Sequence, residues 1–232
     1  MNSQPNQLQL IRLNKFLAER LGVSRREADE LIAAGKVFVN GAPAVLGARI
    51  DKNDEVCYNK SIIPFEAEFL YIAMNKPVGY VCSRKAQGNA PTIYELLPKK
   101  YHRLKTVGRL DKDSSGLILL TNDGDFAFQM THPKFRKNKA YEVELNRPLA
   151  PLHQQMISDY GVMLDDGPSK FKIIKSDRTP ASYIVILSEG RNRQIRRTFA
   201  ALSYNVTKLH RTAFGKYELG ELKPGKCVII KP

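Results

Sequence analysis

The residues best placed to do chemistry in this 232-residue chain lie in the run Gly108-Arg109-Leu110-Asp111-Lys112-Asp113-Ser114-Ser115-Gly116-Leu117. Asp111 sits between two cations, Arg109 and Lys112, just ahead of a small-residue turn and the apolar stretch Leu117 to Leu120. A carboxylate at a turn beside a strand is accessible yet rigidly held, which suits a nucleophile or a general base. The flanking cations favour its ionised form and point to an anionic partner. Asp, Ser and Gly also build ordinary turns, so composition leaves that reading open too. The carboxylates Asp111, Asp113, Asp123 and Asp125 could be taken for a metal nuclease. Asn122-Asp123-Gly124-Asp125 is more simply a turn leading into a helix N-cap, and Asp165-Asp166-Gly167 a hairpin turn. No metal site is expected.

The elements that must hold these residues follow from pattern. Asn14 is placed to cap a short helix, Lys15 to Arg20, that ends at Gly22. Ser24-Arg25-Arg26-Glu27 is a capping box that opens a second helix with Ala28, Leu31 and Ile32 inward. Gly35 stops it, and Lys36-Val37-Phe38-Val39-Asn40-Gly41 alternates into a strand and turn. Strands are expected at 69–74 and near 117–120, 140–146, 171–175, 182–187 and 226–231, with helices near 92–97, 124–131, 151–159 and 192–202. In Ala140-Tyr141-Glu142-Val143-Glu144-Leu145, alternation puts Tyr141 on the apolar face with Val143 and Leu145. Strands and helices do not alternate regularly, and several connections look like hairpins. The expected class is therefore α+β, with a mixed, mainly antiparallel sheet. The expected division is a disordered tail over 1–9, a small α/β module over 10–60, a linker over 61–68 and a larger domain over 69–232.

Charge narrows the partner. Lys and Arg number 37 against 23 Asp and Glu, a formal net charge of +14. An excess of that size favours a polyanion, and no strongly basic amphipathic helix argues for a membrane. From Gly190 to Pro232 there are ten Lys or Arg and two acids, Glu218 and Glu221. Lys134, Arg136, Lys137 and Lys139 form a second cluster, and Lys208, Arg211 and Lys216 extend the basic surface. Cys57, Cys82 and Cys227 lie far apart without metal-ligand spacing, which suits a reducing compartment. No apolar run approaches 18 residues, and the first ten residues are polar. A cytoplasmic, soluble monomer is expected.

Taken together, the Asp111 run, Met74-Asn75-Lys76-Pro77-Val78-Gly79-Tyr80, Lys139-Ala140-Tyr141 and Glu189-Gly190-Arg191-Asn192-Arg193-Gln194-Ile195-Arg196-Arg197 resemble bacterial ribosomal RNA pseudouridine synthases of the Rsu/Rlu class. The reach from Arg12 to Gly41 resembles the S4-type RNA-binding domain that precedes the catalytic domain in that class. The resemblance implies an isomerase that needs no cofactor and acts on a flipped-out uridine of ribosomal RNA, naked or in an assembling subunit. It implies Asp111 as the catalytic carboxylate, Arg196 as its ion-pair partner and Tyr141 stacked on the uracil. Arg109 would fill the gap left by the flipped base, and Ile195 would pack beneath it. RNA contacts would come from Arg12, Lys15, Ser24, Arg25, Arg26, Lys36 and Asn40 in the first module. In the second they would come from Arg191, Arg193, Arg197, Lys208 and Arg211. The run Asn192 to Arg197 is closer to the large-subunit enzymes of the class. The alternative from another class is a non-catalytic RNA-binding ribosome-assembly factor on the same scaffold.

Overall fold

The computed structural model describes residues 10–66, 68–84 and 88–232. The expected disordered tail over 1–9 lies outside the described residues. The chain divides into two compact units, one reaching to Leu70 with Asn122–Gly124 and the other Tyr71–Thr121 with Asp125–Pro232. Among the described residues no helix is long and apolar enough to cross a membrane.

In the first unit the helices Leu13–Arg20 and Arg25–Ala33 pack beside a four-stranded antiparallel sheet. Leu13, Phe16, Leu17, Ala28, Ile32, Val37, Ile50 and Val56 form its core. The capping box is present: Ser24 Oγ accepts from Glu27 N at 3.1 Å, and Glu27 Oε2 accepts from Ser24 N at 2.6 Å. Asn14, by contrast, is not a cap. The first helix starts two residues earlier, with Arg12 at the N-cap, and Asn14 Nδ2 donates to the Asp29 carboxylate at 2.9 and 3.1 Å. Ser61–Ile63, expected as linker, is instead a strand paired with Val56–Tyr58. The reason is local: Asn59 and Lys60 both take positive φ (49° and 65°), the backbone of a tight hairpin turn.

The second unit is built on a nine-stranded sheet. Its path runs Lys172–Lys175, Ser182–Leu187, Lys139–Leu145, Val206–Phe214, Ser115–Thr121, Tyr71–Lys76, Cys227–Ile229. Lys105–Val107 and Tyr217–Glu218 pair at its sides. Neighbours are antiparallel except Val206–Phe214 against Ser115–Thr121, which run parallel. The mixed, mainly antiparallel α+β architecture is thus the one expected. Lys139–Leu145 alternates buried and half-buried along its length, with Tyr141, Val143 and Leu145 buried. The helices Gly124–Thr131 and Gln194–Ala201 fall where periodicity put them. The expected helix at 92–97 is a single 3-10 turn, Ile93–Leu96, capped by Thr92 and Glu95. The helix expected over 151–159 runs Pro151–Gln155 and widens into a π turn, Met156–Tyr160, ended by Gly161.

The nine-residue strand Val206–Phe214 was not expected. Its charged Lys208, His210 and Arg211 read as basic surface, and register shifts against Lys139–Leu145 blur its alternation. It nonetheless occupies the middle of the sheet. Gly116 is what lets the Asp111 turn enter there. Its φ is +105°, and an added Cβ would lie 2.2 Å from the carbonyl oxygen of Arg211. Only glycine fits that approach.

Candidate active site

A cavity of about 470 Å³ opens on the second unit. It is lined by the Arg109–Asp111 segment, by Lys139 and Tyr141, by Glu189 through Ile195, and by Arg211 and Phe214. The structure therefore brings four distant sequence segments to one place.

Asp111 is held by backbone rather than by its own carboxylate. Ser114 N donates to Asp111 O at 3.1 Å and closes the turn. Two cations, the buried Lys76 and the half-buried Arg196, then collect the turn's carbonyls. Lys76 Nζ donates to Ser114 O at 2.6 Å and Pro77 O at 3.0 Å, and reaches Lys112 O at 3.5 Å. Arg196 Nη2 donates to Asp113 O at 2.8 Å, and its Nη1 to Val206 O at 2.8 Å. Gly79 N donates to Lys112 O, and Leu110 N to the Cys82 sulfur at 3.4 Å. The Asp111 carboxyl is left one-third exposed at the cavity. Fixed backbone with a free functional group is the preorganised arrangement a catalytic carboxylate needs.

The cation at Asp111 is not the expected one. Arg193 Nη1 lies 3.7 Å from Asp111 Oδ2 and 3.6 Å from Asp113 Oδ2, whereas Arg196 is committed to main-chain carbonyls. The reason is the helix start. Arg193 takes left-handed backbone (φ 46°) as the N-cap of Gln194–Ala201, which turns it out of the helix toward the carboxylates. Arg196 lies inside the helix and is pushed below its ordinary range by burial and by Arg193, with Asp113 and Asp111 opposing.

Tyr141 and Ile195, 9% and 5% exposed, both line the cavity. Arg109 is exposed at the rim. The other arginines of the run are differently employed. Arg191 Nη1 and Nη2 donate to carbonyls and the carboxylate of the Asp166–Pro168 hairpin, and Arg197 makes a bidentate pair with Asp166 at 3.0 and 2.8 Å. They bolt the hairpin Val162–Ser169 to the segment Arg191–Arg197 instead of standing free for phosphate. The Arg197 hydrogen bond, first, and the two positive charges hold the Asp166 carboxyl below its usual range.

Arg211 requires a correction. Expected as a surface RNA contact, it is 2% exposed on the central strand. Its Nε donates to Leu117 O at 2.7 Å, and its Nη2 is buried without an acceptor. Beside it Lys139, expected in a surface cluster, is 9% exposed. Its Nζ donates to Glu189 O at 3.2 Å. Both cations lie over the Phe214 ring, at 5.0 and 5.3 Å from its centre. Burial, then repulsion from Arg211, lowers Lys139 to about 8, against the pull of Glu189. Burial likewise lowers Lys76 to about 8, opposed by Cys82, Asp111 and Asp113. Lys139, Lys76 and Arg211 are the residues that sequence reading placed wrongly or passed over. A signal existed: Lys139 is in phase with Tyr141, Lys76 with Ile72 and Met74, and Arg211 with Leu209, each on a buried face.

In the first unit Arg12, Arg25, Arg26 and Lys36 are exposed, and Lys15 is half-buried. Ser24 and Asn40, expected as RNA contacts, are engaged internally. Ser24 is the helix cap, while the Asn40 amide bridges Asp54 Oδ1 and Glu55 N at 2.7 and 2.8 Å. Lys208 is exposed, 3.7 Å from Glu142 Oε2.

The family model for RNA pseudouridylate synthase matches residues 70–201, and that for the S4 domain matches residues 11–56. The chain belongs to the RNA pseudouridylate synthase family and carries an N-terminal S4 domain. It is 35% identical to the ribosomal small subunit pseudouridine synthase A of Pasteurella multocida, covering 91% of each chain. It is 34% identical to the ribosomal large subunit pseudouridine synthase B of Bacillus subtilis, covering 95% of this chain and 92% of that one. A crystal structure of a pseudouridylate synthase superposes with a TM-score of 0.69 at 31% identity, covering 95% of this chain and 96% of that one. The protein is an enzyme of this class, an RNA pseudouridine synthase.

Proposed function

We propose that this enzyme isomerises a uridine of ribosomal RNA to pseudouridine, with Asp111 acting on the ribose of a base turned into the cavity. The observation that carries the assignment is the convergence of Asp111, Tyr141, Arg193 and Lys139 on one cavity, with the Asp111 turn fixed by Lys76 and Arg196. The reaction breaks C1′–N1 and forms C1′–C5; the proton leaving C5 is balanced by one gained at N1, so no redox equivalent is consumed. Asp111 serves either as nucleophile at C1′ or as base at C2′. In both routes the uracil departs with negative charge, and the buried Lys139 and Arg211 answer it in a site of low dielectric. Tyr141 and Ile195 clamp the base while it turns, and Arg109 enters the stack it leaves. Extruding the base costs a few kcal/mol in a duplex and less in a loop.

The relatives are named for both ribosomal subunits, and the run Asn192 to Arg197 favours the large-subunit RNA as the substrate of this chain. Carbodiimide-stop primer extension on unmodified ribosomal RNA tests the reading. A new stop made by the wild type and not by Asp111→Ala is expected, and it names the uridine and the subunit. Equal stops from both proteins would remove Asp111 from the mechanism; a stop in small-subunit RNA alone would overturn the choice of subunit.

A further inference from the structure

Beyond the cavity, the helix Gly124–Thr131 runs into the 3-10 turn Pro133–Phe135 and carries an aromatic group to the surface. Phe128 is 46% exposed and Phe135 37%, and His132 is exposed between them. The Phe128 and His132 rings are 4.6 Å apart and the Phe128 and Phe135 rings 5.8 Å, the latter edge to face. Lys134 Nζ covers both phenylalanines, at 5.2 and 4.7 Å from their centres. His132 Nδ1 accepts from Lys134 N at 3.2 Å, which fixes the ring against the turn. Arg136 follows in left-handed backbone, exposed. Thr131 and Pro133, in the same stretch, line the catalytic cavity.

Three exposed rings interleaved with cations at the mouth of a cavity have the composition of a single-stranded nucleic-acid platform. Successive bases stack on aromatic faces while Lys and Arg meet the phosphates. A lysine held, among the described residues, over exposed ring faces is a weak contact, easily exchanged for a phosphate.

We propose that Phe128, His132 and Phe135 form a stacking platform for an unpaired base adjacent to the uridine in the cavity, with Lys134 and Arg136 taking the neighbouring phosphates. This rests on the reading that the cavity takes a uridine of RNA, and it adds a requirement on the substrate: one neighbour of the target is unpaired when bound. Lys134 leaves the ring faces as the base arrives.

The test uses the full chain and a nine-nucleotide RNA with one central uridine and a 2-aminopurine directly 5′ or 3′ of it. Wild type is expected to quench the probe at one of the two positions. Phe128→Leu with Phe135→Leu should abolish the quench and weaken binding by about tenfold, the size of one lost base stack. Phe135→Leu alone should weaken it by about threefold and guards against misfolding of the double variant. Asp111→Ala should keep the quench while losing isomerisation, so failure of the catalytic assignment is read separately from failure of the platform. Absence of a quench at both positions, or equal quench and affinity in wild type and the folded double variant, would overturn the platform and leave the rings as a packing cluster.

Discussion

Lys139→Met should yield a protein that is as stable as wild type yet nearly inactive. The ordinary lysine value of 10.5 falls to about 8 in the fold, chiefly through burial. That drop corresponds to roughly 3 kcal/mol spent on keeping the ammonium charged inside the protein. The folded value lies below the unfolded one, so the penalty is fully present below pH 8 and is relieved as pH rises from about 8 to 10.5. Methionine removes the penalty together with the hydrogen bond to Glu189 O, which contributes about 1.5–3 kcal/mol as a charged donor. The two nearly cancel, and the melting temperature at pH 7 should move by only a few degrees. Catalysis has no such compensation. Losing one preorganised charge at a site of developing negative charge typically costs about 10²–10³ in kcat. Single-turnover pseudouridine formation, followed against pH, supplies the second check. The wild-type rate should fall above about pH 8 as Lys139 loses its proton, and Lys139→Arg should move that limb upward. Lys76 titrates in the same range, so only a limb that moves in Lys139→Arg belongs to Lys139. A limb that stays at pH 8 in Lys139→Arg would be assigned to Lys76, and a Lys139→Met enzyme within threefold of wild type would refute the electrostatic role.

Three further outcomes follow from the geometry. Gly116→Ala must shift backbone, because its Cβ would meet Arg211 O at 2.2 Å and its φ is unfavourable for an L-residue. A loss of about 3 kcal/mol or more is expected, seen as a fall in melting temperature of roughly 6–12 °C; an unchanged melt contradicts the close approach. Arg193→Gln and Arg196→Gln should differ in kind. The first touches an exposed pair that adds little stability and should lower kcat without altering the melt, whereas the second takes the donor from the Asp113 and Val206 carbonyls and should lower both; the same effect from each would sink the division of labour. Lys76→Met leaves the carbonyls of Pro77 and Ser114 without their donor and should loosen the Asp111 turn, read as faster amide exchange over residues 110–115. Unaltered exchange there would argue against a positioning role.

What the sequence showed and what it hid have physical reasons. The capping box at Ser24 and the hairpin turn at Asp165-Asp166-Gly167 are local, so neighbouring residue types suffice to write them. Alternation fixed the buried face of Lys139–Leu145, and with it Tyr141. The same alternation also put Lys139 inside, but its charge pulled the reading toward solvent. Arg211 was lost the same way: a central strand rich in cations looks like surface until the sheet order places it between Lys139–Leu145 and Ser115–Thr121. Arg193 and Arg196 are three residues apart and chemically equal. Which one meets Asp111 depends on the left-handed start of a helix, a backbone state that no residue type announces at an arginine.

On the proposed mechanism the Asp111 carboxylate carries out the isomerisation at the site the cavity defines. Its most direct test is tritium release from C5 of [5-³H]uridine-labelled ribosomal RNA by wild type and by Asp111→Asn, a change that keeps shape and removes the charge. Wild type should release tritium in proportion to the pseudouridine formed, and Asp111→Asn should release none above background while still binding the RNA. Release by Asp111→Asn at the wild-type rate would show that the carboxylate's charge is not needed for the isomerisation.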